Sequence, residues 1–453
     1  MEDQCVITRT VTVAAGVFAP GHLGELTQIV PFEMVDRALA ATSRTQARVR
    51  VLPARVVVYL LLAGCLFAEL GYRQVWHKLT AGLGALAVAK PSDNALWQAR
   101  ARLGAAPLRW LFDLLRGPAT AITSGSVRWG GLLVCAIDGT TMTVPDSPRN
   151  LAAYGKQAGS HGGSGYPLVR LVALVACGTR TVIDAVSGPA SCGELDYARR
   201  LRRSLQAGML VLADRNFGAA ALIGQLAATE ADLLVRLKAN RKLPVLRRYR
   251  DGSYLSQIGA VQVRVVECQI TIATSAGRHT GAYRLATTLL DHRQHPAAAL
   301  VTLYHQRWEI ETAYLELKSS VLGGRVLRAR SPAGIAQELY ALLACYQIVR
   351  IAITDAIEAA GGIDPDRGSF TIALNAARDL LIQAANVIAG TAVDLTGAIG
   401  RRVLDNLLPD RRLRASPRIV KRAISKYQAR GPNINRRSYK ATLDVNILAA
   451  PGP

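Results

Sequence analysis

Up to about residue 125 the apolar positions fall into helix-like groups separated by Gly, Pro or polar breaks: Phe32–Ala41, Ala54–Leu70, Tyr72–Leu83, Ser92–Leu103 and Leu108–Leu115. Pro91-Ser92-Asp93-Asn94 has the form of a helix start, with Ser92 as cap and an acid in the first turn. Beyond Gly125 the pattern becomes that of strands. Leu132–Ile137 is a continuous apolar run ending in Asp138-Gly139-Thr140-Thr141, and a polar, Gly-rich loop with Lys156 and His161 occupies Pro145–Gly165. Leu168–Ala176 and Thr181–Ser187 read as two strands joined by the short turn Cys177–Arg180. A helix over Gly193–Leu205 leads to a strand, Met209–Ala213, closed by Asp214-Arg215-Asn216-Phe217; a helix over Ala219–Ala228 leads to a strand over Asp232–Leu237. Lys238–Pro296 is too long for a loop and alternates in β fashion at Ser256–Gly259, Val261–Glu267, Gln269–Thr274 and Tyr283–Leu290. From Ala297 to Leu322 neither Gly nor Pro interrupts a segment rich in Leu, Ala, Glu and Lys, which predicts one long helix. Ala333–Thr354 and Ser369–Ile388 are further helices.

Three strands, helix, strand, helix, strand is the order of a ribonuclease-H-like fold, antiparallel neighbours first and crossovers after. The expected protein is therefore α/β. A helical N-terminal DNA-binding domain (1–125) precedes the first part of a ribonuclease-H-like core (126–237). A β-rich insertion (238–296) then interrupts that core, whose second part (297–395) is followed by a basic C-terminal helical or arm region (396–453). Asp138 and Asp214 each close a strand, and open α/β sheets bind substrates at those ends. Taken singly, Asp138 is an ordinary turn residue before Gly, and Asp214 an ordinary helix cap. Together, with a carboxylate-bearing helix downstream, they suit two-metal phosphodiester chemistry, whose ions lie about 3.5–4 Å apart. Asp138 would bridge both ions, with Asp214 and Glu311 holding one each. Carboxylates without His or Cys suit Mg²⁺, with Mn²⁺ as substitute, rather than zinc.

The long helix carries Tyr304, Arg307, Glu311 and Lys318 at offsets of 3, 4 and 7. At roughly 100° per residue these side chains fall within about 60° of one another. A solvated face with i,i+4 and i,i+7 charge partners is the alternative reading.

Composition narrows the partner. The 453 residues hold 55 Lys and Arg against 32 Asp and Glu, a formal charge of +23, and an excess of that size points to a polyanion, with nucleic acid first. Arg44, Arg48, Arg50, Arg55, Arg73, Lys78, Arg100 and Arg102 stud the helical N-terminal region, and Lys238, Arg241, Lys242, Arg247, Arg248 and Arg250 the start of the insertion. Arg401–Lys440 holds 13 Lys and Arg against Asp405 and Asp410, which reads either as an arm lying on phosphates or as a solvated tail. Seven scattered Cys, without a CxxC pair, read as reduced thiols of a cytosolic protein. Met1–Thr10 has no secretory pattern, and the apolar run Val56–Ala68 is too short for a bilayer span, so no membrane is expected.

IDGTTMTVPD around Asp138, LADRNFG around Asp214 and YHQRWEIETAYLELK around Glu311 resemble the motifs of the DDE transposases of the bacterial insertion-sequence-four family. The third is the most specific, a Tyr, Arg, Glu, Lys signature that Tyr304, Arg307, Glu311 and Lys318 satisfy in full. The resemblance covers essentially the whole chain. It implies Asp138, Asp214 and Glu311 as catalytic, metal-holding acids, and Tyr304, Arg307 and Lys318 as phosphate contacts. It implies a Mg²⁺-dependent cut-and-paste reaction on terminal inverted repeats: water frees a 3′-OH, a hairpin forms and is reopened, and the 3′-OH joins target DNA. The partners implied are double-stranded DNA and a second subunit in a synaptic dimer, in the bacterial cytoplasm at the nucleoid. Some members stack a flipped base on a Trp of the β-insertion; here that segment has no Trp, and Tyr283 or Tyr254 is the available aromatic. The competing readings are a catalytically silent DNA-binding repressor or architectural protein, and a ribonuclease-H-type nuclease without strand transfer.

Overall fold

The apolar groups of the N-terminal region fold as helices. A short antiparallel pair, β1 (Thr12–Val13) and β2 (Val17–Phe18), precedes α1 (Phe32–Ala41), α2 (Ala54–Leu66), α3 (Tyr72–Thr80), α4 (Asp93–Leu103) and α5 (Ala106–Leu115). Ser92 caps α4 as expected, its hydroxyl accepting from Ala95 N at 3.2 Å. Next come β3 (Arg128–Trp129), β4 (Leu132–Thr143), α6 (Pro148–Tyr154), β5 (Leu168–Ala176), β6 (Val182–Pro189), α7 (Glu194–Leu201), β7 (Met209–Ala213), α8 (Ala220–Ala227) and β8 (Asp232–Arg236). The β-rich stretch holds β9 (Arg247–Arg248), β10 (Tyr254–Ile258), β11 (Val261–Thr274) and β12 (Gly277–Thr287). After it come α9 (Ala297–Tyr304), α10 (Trp308–Leu315), α11 (Pro332–Ala360), α12 (Phe370–Ile382), α13 (Gly397–Leu404), β13 (Arg414–Ala415) and β14 (Tyr439–Ile447).

The computed structural model describes residues 22–46, 50–83, 88–117, 128–156, 165–383, 397–409 and 439–449, with the strand pieces at 12–13, 17–18 and 414–415. Met1–Thr10, Arg48, His161 with residues 157–164 of its Gly-rich loop, residues 384–388 and most of the basic segment between 401 and 440 lie outside the described residues; the start of that loop forms α6. The chain divides into a helical unit (Met1–Ile122, Met142–Ala153, Ala313–Pro409) and a sheet unit (Thr123–Thr141, Tyr154–Thr312, Asp410–Pro453).

In the helical unit α11 is the core. By length and composition it would cross a membrane, but 83% of its most apolar window is buried within the protein. Two of its buried glutamines close the ends of other helices, which lack intrahelical partners. Gln337 Nε2 donates to Arg100 O and Gly104 O at the end of α4, and Gln347 Nε2 to Leu115 O at the end of α5. Glu25 accepts from Ala398 N and Ile399 N at the start of α13.

The sheet unit carries one mixed sheet of order β13-β14-β11-β12-β8-β7-β4-β5-β6 along its main path. β4, β7 and β8 are parallel neighbours, whereas β5–β6, β8–β12, β11–β12 and β11–β14 are antiparallel. Parallel neighbours need a crossover, and α8 supplies it between β7 and β8. Every residue of β7 is buried, as its unbroken apolar run requires. The β-rich segment extends this sheet: Leu285 to Thr287 of β12 pair with Arg236 to Leu234 of β8. The two strands expected over 261–274 are one, since no Gly or Pro interrupts them and β12 pairs without a break from Arg264 to Thr274.

The single helix expected over 297–322 is a helical run of changing pitch. α9 passes through a 3₁₀ turn, His305–Arg307, into α10, which ends in a π-helical turn, Glu316–Val321. The even 100° spacing assumed for its four signature residues therefore does not hold.

Candidate active site

Register brings the two aspartates together. Ile137 of β4 pairs with Ala213 of the parallel strand β7, so Asp138 stands beside Asp214 on strands about 4.8 Å apart. Asp214 follows the end of β7 as expected, but Asp138 does not close its strand, because β4 continues to Thr143. Asp214 Oδ1 accepts from Asn216 N at 2.7 Å and so does cap the 3₁₀ turn Arg215–Phe217. Asp138 Oδ1 accepts from Gly139 N at 2.7 Å. A Cβ at Gly139 would lie 2.8 Å from the Glu194 carboxylate, which would have to move aside.

Arg307, in the 3₁₀ turn, ties the third acid to this pair. Its Nη1 lies 3.4 Å from Asp138 Oδ2 and its Nη2 donates to Glu311 Oε1 at 2.9 Å. The guanidinium is largely buried, while the Glu311 side chain is 41% exposed and faces outward. Burial pushes the Asp138 carboxyl up to about 6; Asp214 and Glu311 push the same way, while Gly139 N–H and the Arg307 charge oppose. Burial alone would lower the Arg307 pKa, yet Tyr304, Glu311 and Asp138 together hold it above its ordinary value. Asp138 thus stands within electrostatic reach of both other acids, and Arg307 is the cation between two of them.

Tyr304 is buried and donates its hydroxyl to Ala213 O at 3.1 Å, the carbonyl just before Asp214. This hydroxyl braces the strand end that precedes Asp214. Burial raises its pKa well above the ordinary phenol value. Lys318 lies on the π turn in the helical unit, where its carbonyl accepts from Gly324 N at 2.7 Å.

The two candidate aromatics for a flipped base separate clearly. Tyr254 is buried, with its hydroxyl donated to Glu267 Oε1 at 2.9 Å. Tyr283 lines a cleft of about 450 Å³ with Arg215, Arg236, Lys238 and Arg284, and the Arg236 guanidinium lies 3.9 Å from its ring centroid. Sequence reasoning passed over Trp308, half-exposed and 5.3 Å from the Arg307 guanidinium, although it stands inside the signature motif. It also missed Arg180 and Glu309, joined by a buried ion pair of 2.6 Å.

Hard oxygen donors in mutual repulsion fit a divalent cation, which would relieve the charge that burial makes costly. Among the described residues no three His, Cys, Asp or Glu side chains gather around one ion position. Asp138, Asp214 and Glu311 are the oxygen donors that would hold such a cation.

These acids lie in a domain of known class: residues 129–348 match the model of the transposase DDE domain, whose members are enzymes that cut and transfer DNA. Residues 20–113 match the insertion element 4 transposase N-terminal model. The chain belongs to the insertion-sequence-four family of DDE transposases. It is similar to the transposase InsG for insertion sequence element IS4 of Escherichia coli (strain K12), 27% identical over 408 residues that cover 87% of this chain and 91% of InsG. InsZ of the same bacterium is 29% identical over 195 residues, 42% of this chain and 62% of InsZ. The cryo-EM structure of a piggyBac transposase synaptic complex with hairpin DNA aligns over 85% of each chain at 10% identity, with a TM-score of 0.42.

Proposed function

We propose that the sheet unit is a ribonuclease-H-like catalytic core in which Asp138, Asp214 and Glu311 are the metal-holding acids of a cut-and-paste transposase. The observation that carries this is the Ile137–Ala213 pairing, which sets Asp138, within β4, beside Asp214, the residue that follows β7, with Arg307 linking the first of them to Glu311. Asp138, Asp214 and Glu311 are the residues that would hold Mg²⁺ or Mn²⁺. When bound, such ions activate the attacking oxygen and stabilise the leaving oxygen of phosphodiester exchange. Arg307, which neutralises the acids here, takes a phosphate oxygen beside the scissile bond when DNA arrives, and Lys318 takes a second, so the strand is held for in-line attack. Tyr304 keeps the Asp214 strand end in place. Tyr283, backed by Arg236, offers the face on which a base displaced in a hairpin step would stack. The substrate is the element's own terminal inverted repeats, synapsed by two subunits in the bacterial cytoplasm.

The test is a gel shift and a nicking assay on one labelled repeat end. Asp138→Ala, Asp214→Ala and Glu311→Ala should bind the end as well as the parent, while nicking falls by about three orders of magnitude or more, as loss of preorganised charge at a reacting centre does. Arg307→Ala and Lys318→Ala should weaken binding and nicking together. Nicking by Glu311→Ala near the parental rate, or nicking that persists in EDTA, would overturn the assignment. A silent DNA-binding protein would bind the end and nick in no variant, the parent included.

A further inference from the structure

Between β5 and β6 the chain turns through Cys177-Gly178-Thr179-Arg180, and the tip of this hairpin is tied to two places at once. Cys177 N donates to Val134 O of β4 at 2.9 Å, four residues before Asp138. On its other side the tip grips the signature helix: Cys177 Sγ lies 3.6 Å from Gln306 O, and Arg180 Nε donates to Glu309 Oε2 at 2.6 Å. Gln306 and Glu309 flank Arg307, and Glu309 precedes Glu311 by two residues. At roughly 100° per residue the two glutamates point to opposite sides of α10. One is 41% exposed at the acid cluster, and the other is 2% exposed against Arg180.

The tip is an unlikely place to spend charge for stability alone. Arg180 holds a left-handed backbone conformation, φ +58°, that a long side chain rarely adopts. Its guanidinium and the Glu309 carboxylate are both buried, and an apolar pair of similar size commonly stabilises a fold as well as a buried ion pair does. What a charged, hydrogen-bonded pair adds is a single orientation.

We propose that the β5–β6 hairpin tip is a positioning element for DNA cleavage, in which Arg180 holds Glu309 and so sets the rotation of α10 that presents Arg307 and Glu311 to Asp138. This rests on the reading that Arg307, Glu311 and Asp138 act at the cleavage site. Arg180 and Glu309 touch neither DNA nor metal; they act through the turn between them.

The experiment uses the full chain and the double variant Arg180→Met/Glu309→Leu, which removes both charges and strands neither. Melting temperature, affinity for a labelled repeat end in EDTA, and nicking rate at saturating DNA with Mg²⁺ are read side by side, with Glu311→Ala as control. The double variant should melt close to the parent and bind the end within about twofold, while its saturated nicking rate falls by about tenfold to a hundredfold, the scale of a small misplacement of reacting groups. Arg180→Lys, which keeps the charge and loses the planar fork, should show a smaller fall in the same rate. A purely structural pair would move melting temperature and leave the saturated rate of the folded protein unchanged, and that result overturns the inference. If the double variant does not fold, a parental rate in Arg180→Lys overturns it equally. Glu311→Ala separates the two readings: if it nicks normally the cleavage-site reading fails, whereas if it is dead and the pair variants nick normally only the positioning role fails.

Discussion

A carboxylate kept at a cost is the clearest sign of function at single-residue scale. Asp138 is held at a pKa of about 6, against 3.8 for a free side chain, by burial first and by the charges of Asp214 and Glu311. A raised acid pKa means that the folded state favours the proton. This contribution is therefore fully present below about 3.8 and is lost as pH rises through about 6. At pH 7.5 the ionised group costs on the order of 3 kcal/mol at 1.36 kcal/mol per unit. Asp138→Asn should accordingly melt higher than the parent at pH 7.5 in EDTA, with the advantage shrinking toward pH 4; equal melting at pH 7.5 would show that the site stores no such strain. Arg307 carries the complementary prediction. Its guanidinium holds Asp138 and Glu311 where a cation belongs, so Arg307→Gln should bind Mn²⁺ severalfold more tightly than the parent without DNA, by calorimetry, while cleaving more slowly. Weaker Mn²⁺ binding would mean that Arg307 organises the acids for the metal instead of competing with it. Asp138, Asp214 and Glu311 were legible in the sequence, because each closes an apolar run or sits in a specific motif. Arg180 and Glu309 were not: a buried pair 129 residues apart in sequence leaves no local trace.

Among the elements, strands were easier to read than the long helix. β5 and β7 begin and end where their apolar runs do, because the polar residues that close them leave the sheet. The helical run from Ala297 to Val321 changes pitch for reasons its propensities do not contain. α, 3₁₀ and π turns accept the same residues, and tertiary partners choose between them. At the π turn that partner is visible. Glu316 is nearly buried, accepts from Tyr346 Oη at 3.2 Å and from Arg350 Nε at 3.1 Å, and forms an ion pair with Arg350, both partners lying on α11. Breaking a buried pair leaves an uncompensated charge and commonly costs about 3–5 kcal/mol. Arg350→Met should therefore lower the unfolding free energy by roughly that amount in urea, whereas Arg350→Met/Glu316→Leu recovers most of it. If the double variant recovers stability yet binds repeat ends as weakly as Lys318→Ala, the π turn matters because it aims Lys318. If end binding recovers too, the ion pair serves the helical unit alone.

For the molecule as a whole, the charge of +23 has to be apportioned, and the C-terminal region shows how. In sequence the basic stretch from Arg401 to Lys440 reads as an arm or a solvated tail, but its two ends belong to folded elements. Arg401 and Arg402 lie on α13, where Arg402 Nη1 donates to Asp379 at 2.8 Å. Lys440 is the second residue of β14, which pairs with β11 from Ala441↔Thr274 to Ile447↔Cys268. Deleting everything after α13 would strip β13 and β14 from the sheet and confuse lost folding with lost DNA contact. The informative change is confined to Arg418, Lys421, Arg422, Lys426, Arg430, Arg436 and Arg437, each replaced by Gln with β14 left in place. Each Lys or Arg that neutralises a phosphate adds about 0.9 to the slope of log K against log salt. If these side chains lie on the duplex, the replaced protein should bind repeat ends more weakly at 50 mM salt, with a slope shallower by about two or more. Its circular dichroism and melting temperature should match the parent, since no described sheet pairing involves the replaced positions. A parental slope with weaker binding would place these residues in contacts between subunits, which a sedimentation experiment on the DNA complex would register as loss of the dimer. A parental slope with parental affinity would assign all seven charges to solvent, leaving the phosphate contacts to the basic residues of the helical unit and the β9–β12 stretch.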